Sequence, residues 1–229
     1  MRIRSTRLRH WLPFCLCALL GGQALAAASP ATSPVTSESS MLDINRYQLL
    51  YSATGDDRFL ERMGSAGKRF EASLQGRQDA DALRALWSDY QQGSKKLLAD
   101  LSAHKINQQS EMAQSLKLSE TFDAYLQAHP QTAAPELADN LRTRALLTAR
   151  LANLRKVDNS RADAEEQKIK ALDASIQQQI AALAKADAAL SSDLANRWHY
   201  LQISQSNGKL LLYPFNAQIE SMLGKLQNH

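Results

Sequence analysis

The chain has 229 residues and a formal charge of +4, and Arg2, Arg4, Arg7 and Arg9 account for all of that excess. The remainder balances 23 basic against 23 acidic residues, which removes the long-range pull toward nucleic acid or an anionic membrane surface. Both cysteines, Cys15 and Cys17, lie close to the N-terminus, so the chain beyond them has no disulfide, thiolate metal site or Cys nucleophile.

The first segment reads as a signal peptide over residues 1–28. The arginines form a positive n-region, Trp11 to Leu20 is a short apolar core, and Ala24-Leu25-Ala26 has the small-x-small pattern of a cleavage site. That core is shorter than the roughly 20 apolar residues a spanning helix needs. The expected location is therefore periplasmic or secreted, with no membrane span after cleavage. Residues 29–40, rich in Ala, Ser, Thr and Pro, read as a flexible leader. Residues 41–229 read as one helical bundle domain, because Ala, Leu, Gln, Lys, Arg, Asp and Glu dominate and no strand alternation appears.

A first helix is predicted over 41–53 and a second over 57–75, with Thr54-Gly55-Asp56-Asp57 between them. Gly55 is expected at positive φ, and Asp56 or Asp57 is expected to cap the second helix. Gly64-Ser-Ala-Gly67 reads as a small face where backbones approach closely. Gly76 ends the second helix, and a third of about fifty residues, some 75 Å long, is predicted over 79–128 up to His129-Pro130. Leu83, Tyr90, Leu97, His104, Glu111, Leu118 and Tyr125 recur at intervals of seven along it. A further helix starts at Pro135, with a break or kink at Val157–Ser160. The next is predicted over 160–205, with Ile169, Ile176, Leu183 and Leu190 again seven apart. Asn207-Gly208 ends it, and a short helix begins near Pro214. The expected fold is all-α: an elongated antiparallel helical bundle, four-helix-bundle-like, of one module or two stacked ones, with long helices.

The segment Arg46-Tyr-Gln-Leu-Leu-Tyr-Ser-Ala-Thr-Gly-Asp-Asp-Arg-Phe-Leu-Glu61 resembles the helical-bundle extracellular sensor domains of bacterial chemoreceptors and sensor kinases. Arg46, Leu49 or Leu50, Thr54, Gly55, Asp56, Phe59, Leu60 and Glu61 match their first-helix segment, and the likeness covers residues 43–74. It implies fold and ancestry, here in a detached periplasmic protein without a signalling part.

Chemistry-bearing motifs are few. There is no Gly-rich phosphate loop, H-E-x-x-H or G-x-S-x-G. His104, His129, His199 and His229 are widely separated, so no metal, cofactor or enzymatic activity is expected. His104, Gln108 and Glu111 stand in rows that otherwise hold Leu, Tyr, Trp and Phe. They form a polar layer lining a ligand cavity, or a layer that sets register, unless the register shifts and turns His104 out. Arg46, Arg142, Arg144 and Arg150 are the groups for a small anionic ligand. Arg46→Ala is expected to cost affinity and leave stability nearly constant. Trp198 and Tyr200, with Tyr213 and Phe215, form an exposed patch for a partner, or they close the end of the bundle. Two functions follow: a non-enzymatic, sensor-like accessory protein binding a small ligand or an envelope partner, or a structural or chaperone-like helical envelope protein, perhaps as a homo-oligomer.

Overall fold

The computed structural model describes residues 36–130, 134–206 and 211–228, all within the unit Thr32–His229. The signal-peptide reading of residues 1–28 lies outside the described residues. Those residues form eight helices and no strands: α1 (Ser37–Thr54), α2 (Arg58–Ser73), α3 (Ala80–Ser102), α4 (Gln108–Ala128), α5 (Leu137–Val157), α6 (Asn159–Leu183), α7 (Ala188–Ser206) and α8 (Leu212–Gln227). The all-α helical bundle is thus the fold. Among the described residues, no helix is long and apolar enough to cross a membrane.

The two long helices are each broken. The predicted helix over 79–128 is a hairpin of α3 and α4, and that over 160–205 is a hairpin of α6 and α7. At the first turn His104 takes φ 54° and Asn107 caps α4, its side chain accepting from the Ser110 amide at 2.8 Å. At the second, the Asp187 carboxylate accepts from the Leu190 amide at 2.8 Å. Neither turn contains Gly or Pro. Since the longest described helix has 25 residues, the length argument for an elongated bundle loses its premise. At the start of the bundle, α1 opens at Ser37, inside the segment read as leader. Thr36 caps it by accepting from the Ser39 amide at 3.0 Å.

Two successive four-helix sets result. In the first, α1 packs on α2 and α4, and α3 on α4. In the second, α5 packs on α6 and α8, α6 on α7, and α7 on α8. The sets meet along α1 and α5, which run parallel: Asp43 faces Arg142, and the Leu49 carbonyl accepts from Asn153 Nδ2 at 2.9 Å. Every residue from Asp43 to Leu50 is buried, as is every residue from Arg144 to Ala149. At 3.6 residues per turn, neither stretch has a solvent face. The first core gathers Phe70, Trp87, Tyr90 and Phe122, with the last two rings stacked at 4.4 Å. The second gathers Leu141, Ile176, Ile180, Leu194, Trp198, Phe215 and Ile219.

Two glycines carry specific geometry. Gly55 sits at φ 70°, and its amide donates to the Tyr51 carbonyl at 2.7 Å, closing α1. Gly67 lies under the Trp87 indole, whose Cζ2 would stand 2.4 Å from an added Cβ, whereas a Cβ at Gly64 meets nothing within 4 Å. Only one end of the small-residue face is therefore a close approach. Gly67→Ala should lower stability by about 1–3 kcal/mol through overpacking. Gly55→Val should cost about 1–2 kcal/mol or more through a left-handed β-branched residue. Gly64→Ala should be neutral or stabilising by up to about 1 kcal/mol. Urea melts of the three variants check this ordering.

Candidate functional site

Asp56, at the end of the Thr54-Gly55-Asp56 break, forms one wall of a surface cleft with Arg58, Phe59 and Arg62 of α2. Thr54 Oγ1 donates to the Leu50 carbonyl at 2.6 Å and accepts from the Asp56 amide at 3.3 Å, turning the chain out of α1. Asp56 Oδ1 then accepts from the Arg58 amide at 3.0 Å, so Asp56 rather than Asp57 supplies the side-chain acceptor at the start of α2. The Arg58 guanidinium grips the same carboxylate, with Nη2 to Oδ2 at 2.6 Å. Arg58 first, and Tyr213 to a smaller extent, hold the Asp56 carboxyl well below the usual carboxylate range.

The other wall is the first turn of α8. The cleft has a volume of about 360 Å³ and is lined by Asp56, Arg58, Phe59, Arg62, Tyr213, Pro214, Asn216 and Ala217. Phe59 and Tyr213 pack with centroids 5.5 Å apart, and the Arg58 guanidinium lies 5.6 Å from the Tyr213 ring centre. The site therefore combines an apolar floor with two arginines that keep solvent-facing surface.

Arg62 connects this cleft to the interior. It pairs with Glu220, whose Oε1 accepts from the Tyr47 hydroxyl at 2.8 Å; that hydroxyl accepts from Arg46 Nη2 at 2.5 Å. Arg46 Nη2 lies 3.1 Å from Asp43, and Asp43 also faces Arg69 at 3.3 Å and Arg142 at 3.8 Å. Glu220 is held below its ordinary value: burial acts to raise it, and the bonds from Arg62 and Tyr47 with the charge of Arg46 outweigh that. The Tyr47 phenol is pushed up to about 12, chiefly by burial.

The arginines expected to meet a ligand are largely engaged inside. Arg46 is 1% exposed, and Arg142 and Arg144 are buried too. Arg142 pairs with Asp139 and Asp43. Arg144 binds Asp173 at 2.5 Å and Gln205 at 2.8 Å, and its guanidinium sits 5.0 Å from the Phe215 ring centre. Arg150 spans Asp123 and Glu165. Arg46→Ala cannot leave stability constant, because it would strip Asp43 and Tyr47 of a buried partner; loss of one member of such a pair costs about 3–5 kcal/mol.

The expected polar layer divides. His104 and Gln108 are exposed at the α3–α4 turn, and Glu111 is 1% exposed. Glu111 accepts from Ser52 Oγ at 2.5 Å and Ser115 Oγ at 2.9 Å. Gln48 extends the network, donating to Ser115 at 3.2 Å and accepting from Ser94 at 2.6 Å. The aromatic patch divides likewise: Trp198 and Phe215 belong to the second core, and Tyr200 and Tyr213 are exposed. Among the described residues, no group of three or more His, Cys, Asp or Glu side chains is placed to hold a metal ion.

Burial raises the Glu111 carboxyl above its ordinary 4.5, and the two serine hydroxyls offset this only in part. The folded protein thus holds this proton more tightly than the unfolded chain. The Glu111 contribution is most favourable at low pH and is lost as pH rises from the unfolded value through the folded one. Glu111→Gln should therefore melt above the parent at neutral pH, with the gap closing as pH falls toward 4.5. Paired melts across that range check the sign.

Comparison with known proteins returns no matching family model, no matching curated protein and no matching solved structure.

Proposed function

We propose that the chain is a non-catalytic, sensor-like protein of the bacterial envelope that binds a small organic anion in the cleft between the α1–α2 break and α8. The observation that carries this reading is the double role of Arg62, which lines the cleft and is the outer end of the series Glu220, Tyr47, Arg46, Asp43 and Arg142. A carboxylate entering the cleft competes with Glu220 for Arg62. Any change in that pair reaches the α1–α5 contact through hydrogen bonds and charges alone. Phe59, Tyr213 and Pro214 offer an apolar surface, so the fitting ligand carries a planar or aliphatic group beside its anion. The envelope location rests on the N-terminal arginines, apolar core and Ala-x-Ala site. The sensor-like role rests on the resemblance of residues 43–74, whose Thr54-Gly55-Asp56 break borders this cleft. The structural or chaperone-like alternative, which needs an open groove lined by Leu and Ala, would show as binding of unfolded chains with no preference for an anion.

Calorimetric titration with benzoate, using benzyl alcohol as the uncharged counterpart, tests the reading. Benzoate should bind saturably and benzyl alcohol far more weakly. Arg62→Gln should weaken benzoate about tenfold or more, the scale of a charge-assisted hydrogen bond. Near-ultraviolet dichroism should change with saturation as the Tyr47 surroundings shift. Equal binding of the two probes, or of neither, overturns the proposal.

A further inference from the structure

A cleft of about 210 Å³ opens between α6 and α7. On α7, Ser191, Ala195, Trp198 and Gln202 recur at spacings of four, three and four and so share one face; Gln177 and Ile180 meet them from α6. Ile180, Ser191 and Trp198 are buried and form the floor, while Gln177 and Ala195 are exposed at the mouth. No Lys, Arg, Asp or Glu lines the cleft. Ser191 Oγ donates its proton to the Ile180 carbonyl at 2.8 Å. The Trp198 indole is 3% exposed, and its Nε1 is buried without a hydrogen bond among the described residues. An indole nitrogen is a donor only, and a buried one ordinarily finds an acceptor. Trp87, in the first core, does so: its Nε1 donates to Glu71 Oε1 at 2.9 Å. Trp198 differs in keeping an unused donor in a ring that borders a cleft.

We propose that this cleft binds a compact neutral carbonyl compound, a small cyclic amide by preference, whose oxygen accepts from Trp198 Nε1. A buried donor left unpaired is costly, and a ligand acceptor removes that cost. The lining disfavours a carboxylate and an ammonium alike, because neither meets a charge of opposite sign. Ser191 Oγ and the Gln202 side-chain carbonyl have acceptor capacity for the amide N–H. A cavity of about 150 Å³ accepts benzene, so this cleft suits a ring of about six atoms with its carbonyl. Ile180 and Ala195 offer such a ring apolar contact. The Nε1 atom itself is closed to solvent, so a small turn of the indole toward the cleft brings its N–H to the ligand. The cleft shares no lining residue with the one at the α1–α2 break.

Titration of isotope-labelled protein with δ-valerolactam, beside piperidinium and cyclopentanecarboxylate, is the test, read by NMR at the indole N–H signals. The lactam should bind saturably and move the Trp198 Nε1–H signal downfield, with the Trp87 signal little changed; each signal is assigned by correlation to its own backbone. The two charged rings should bind about tenfold more weakly or less. Trp198→Phe should weaken the lactam about tenfold, the scale of one hydrogen bond. Ala195→Leu, at an exposed helical position that tolerates leucine, fills the mouth and should abolish binding in a protein that melts like the parent. If Trp198→Phe does not fold, the Trp198 signal and the Ala195 variant decide the matter. No saturable lactam binding, binding that leaves the Trp198 signal in place, equal affinity for piperidinium, or undiminished binding to Ala195→Leu overturns the proposal. Benzoate binding at the cleft between the α1–α2 break and α8 is independent of every one of these outcomes.

Discussion

The structure depends on the need to satisfy a polar helix with no side turned to water. From Asp43 to Leu50 each α1 residue is buried, and several carry charges or amides. A buried polar group without a partner costs about 1–3 kcal/mol, and a buried charge costs more. Partners come from every surrounding helix, and only Ser40 Oγ, Asp43 Oδ1, Asn45 Oδ1 and the Arg46 Nε and Nη1 atoms of this helix are buried without a hydrogen bond. Asn45 donates to the Ser119 carbonyl on α4, Gln48 meets Ser94 on α3, Tyr47 meets Glu220 on α8, and Asp43 meets Arg69 on α2 and Arg142 on α5. Apolar packing alone would tolerate rotation or sliding of α1. The specific pairs admit one rotation and one height, and so fix how the two four-helix sets face each other.

The same demand divides the arginines into two kinds. Those on the inner helices neutralise carboxylates and are consumed in holding the fold. Those on α2, one helix further out, pair at one edge and keep part of the guanidinium in solvent: Arg62 has a side chain 46% exposed and Arg58 72%. Depth, rather than residue type, separates the fully engaged arginine from the partly solvated one. In the cleft beside the α1–α2 break, these partly solvated arginines stand over an aromatic floor.

Helix content and several breaks are legible in the sequence because their causes are local. Gly55 takes the left-handed conformation that its lack of Cβ permits, and Pro130 follows the last turn of α4. The turns at 103–107 and 184–187 lack that signature. They rely on Asn107 and Asp187, acceptors that in sequence look like ordinary polar helix residues. Seven-residue spacing also continues across both turns, since Leu97 and Leu118, or Leu183 and Leu190, keep apolar character whether they share a helix or face each other in a hairpin. The interruption of the apolar row by His104 and Gln108 was the available clue, and it marks a turn rather than a cavity. The interior position of Arg46 was not legible, because its partners Tyr47, Asp43 and Glu220 include one from the far end of the chain. The cleft is legible only at Asp56, where the Thr54-Gly55-Asp56 break borders it; Tyr213 and Asn216 arrive through the packing of α8.

The central place of α1 sets the order in which the chain can become complete. Asn153, which ties α5 to the Leu49 carbonyl, lies 104 residues downstream. The Asp43–Arg142 pair likewise joins α1 to the second half of the chain. The seam is therefore made wholly of contacts with high sequence separation, whose loop-closure entropy must be met before they reward the chain, and any fragment that stops before α5 lacks the partners that Asp43 and Leu49 meet there.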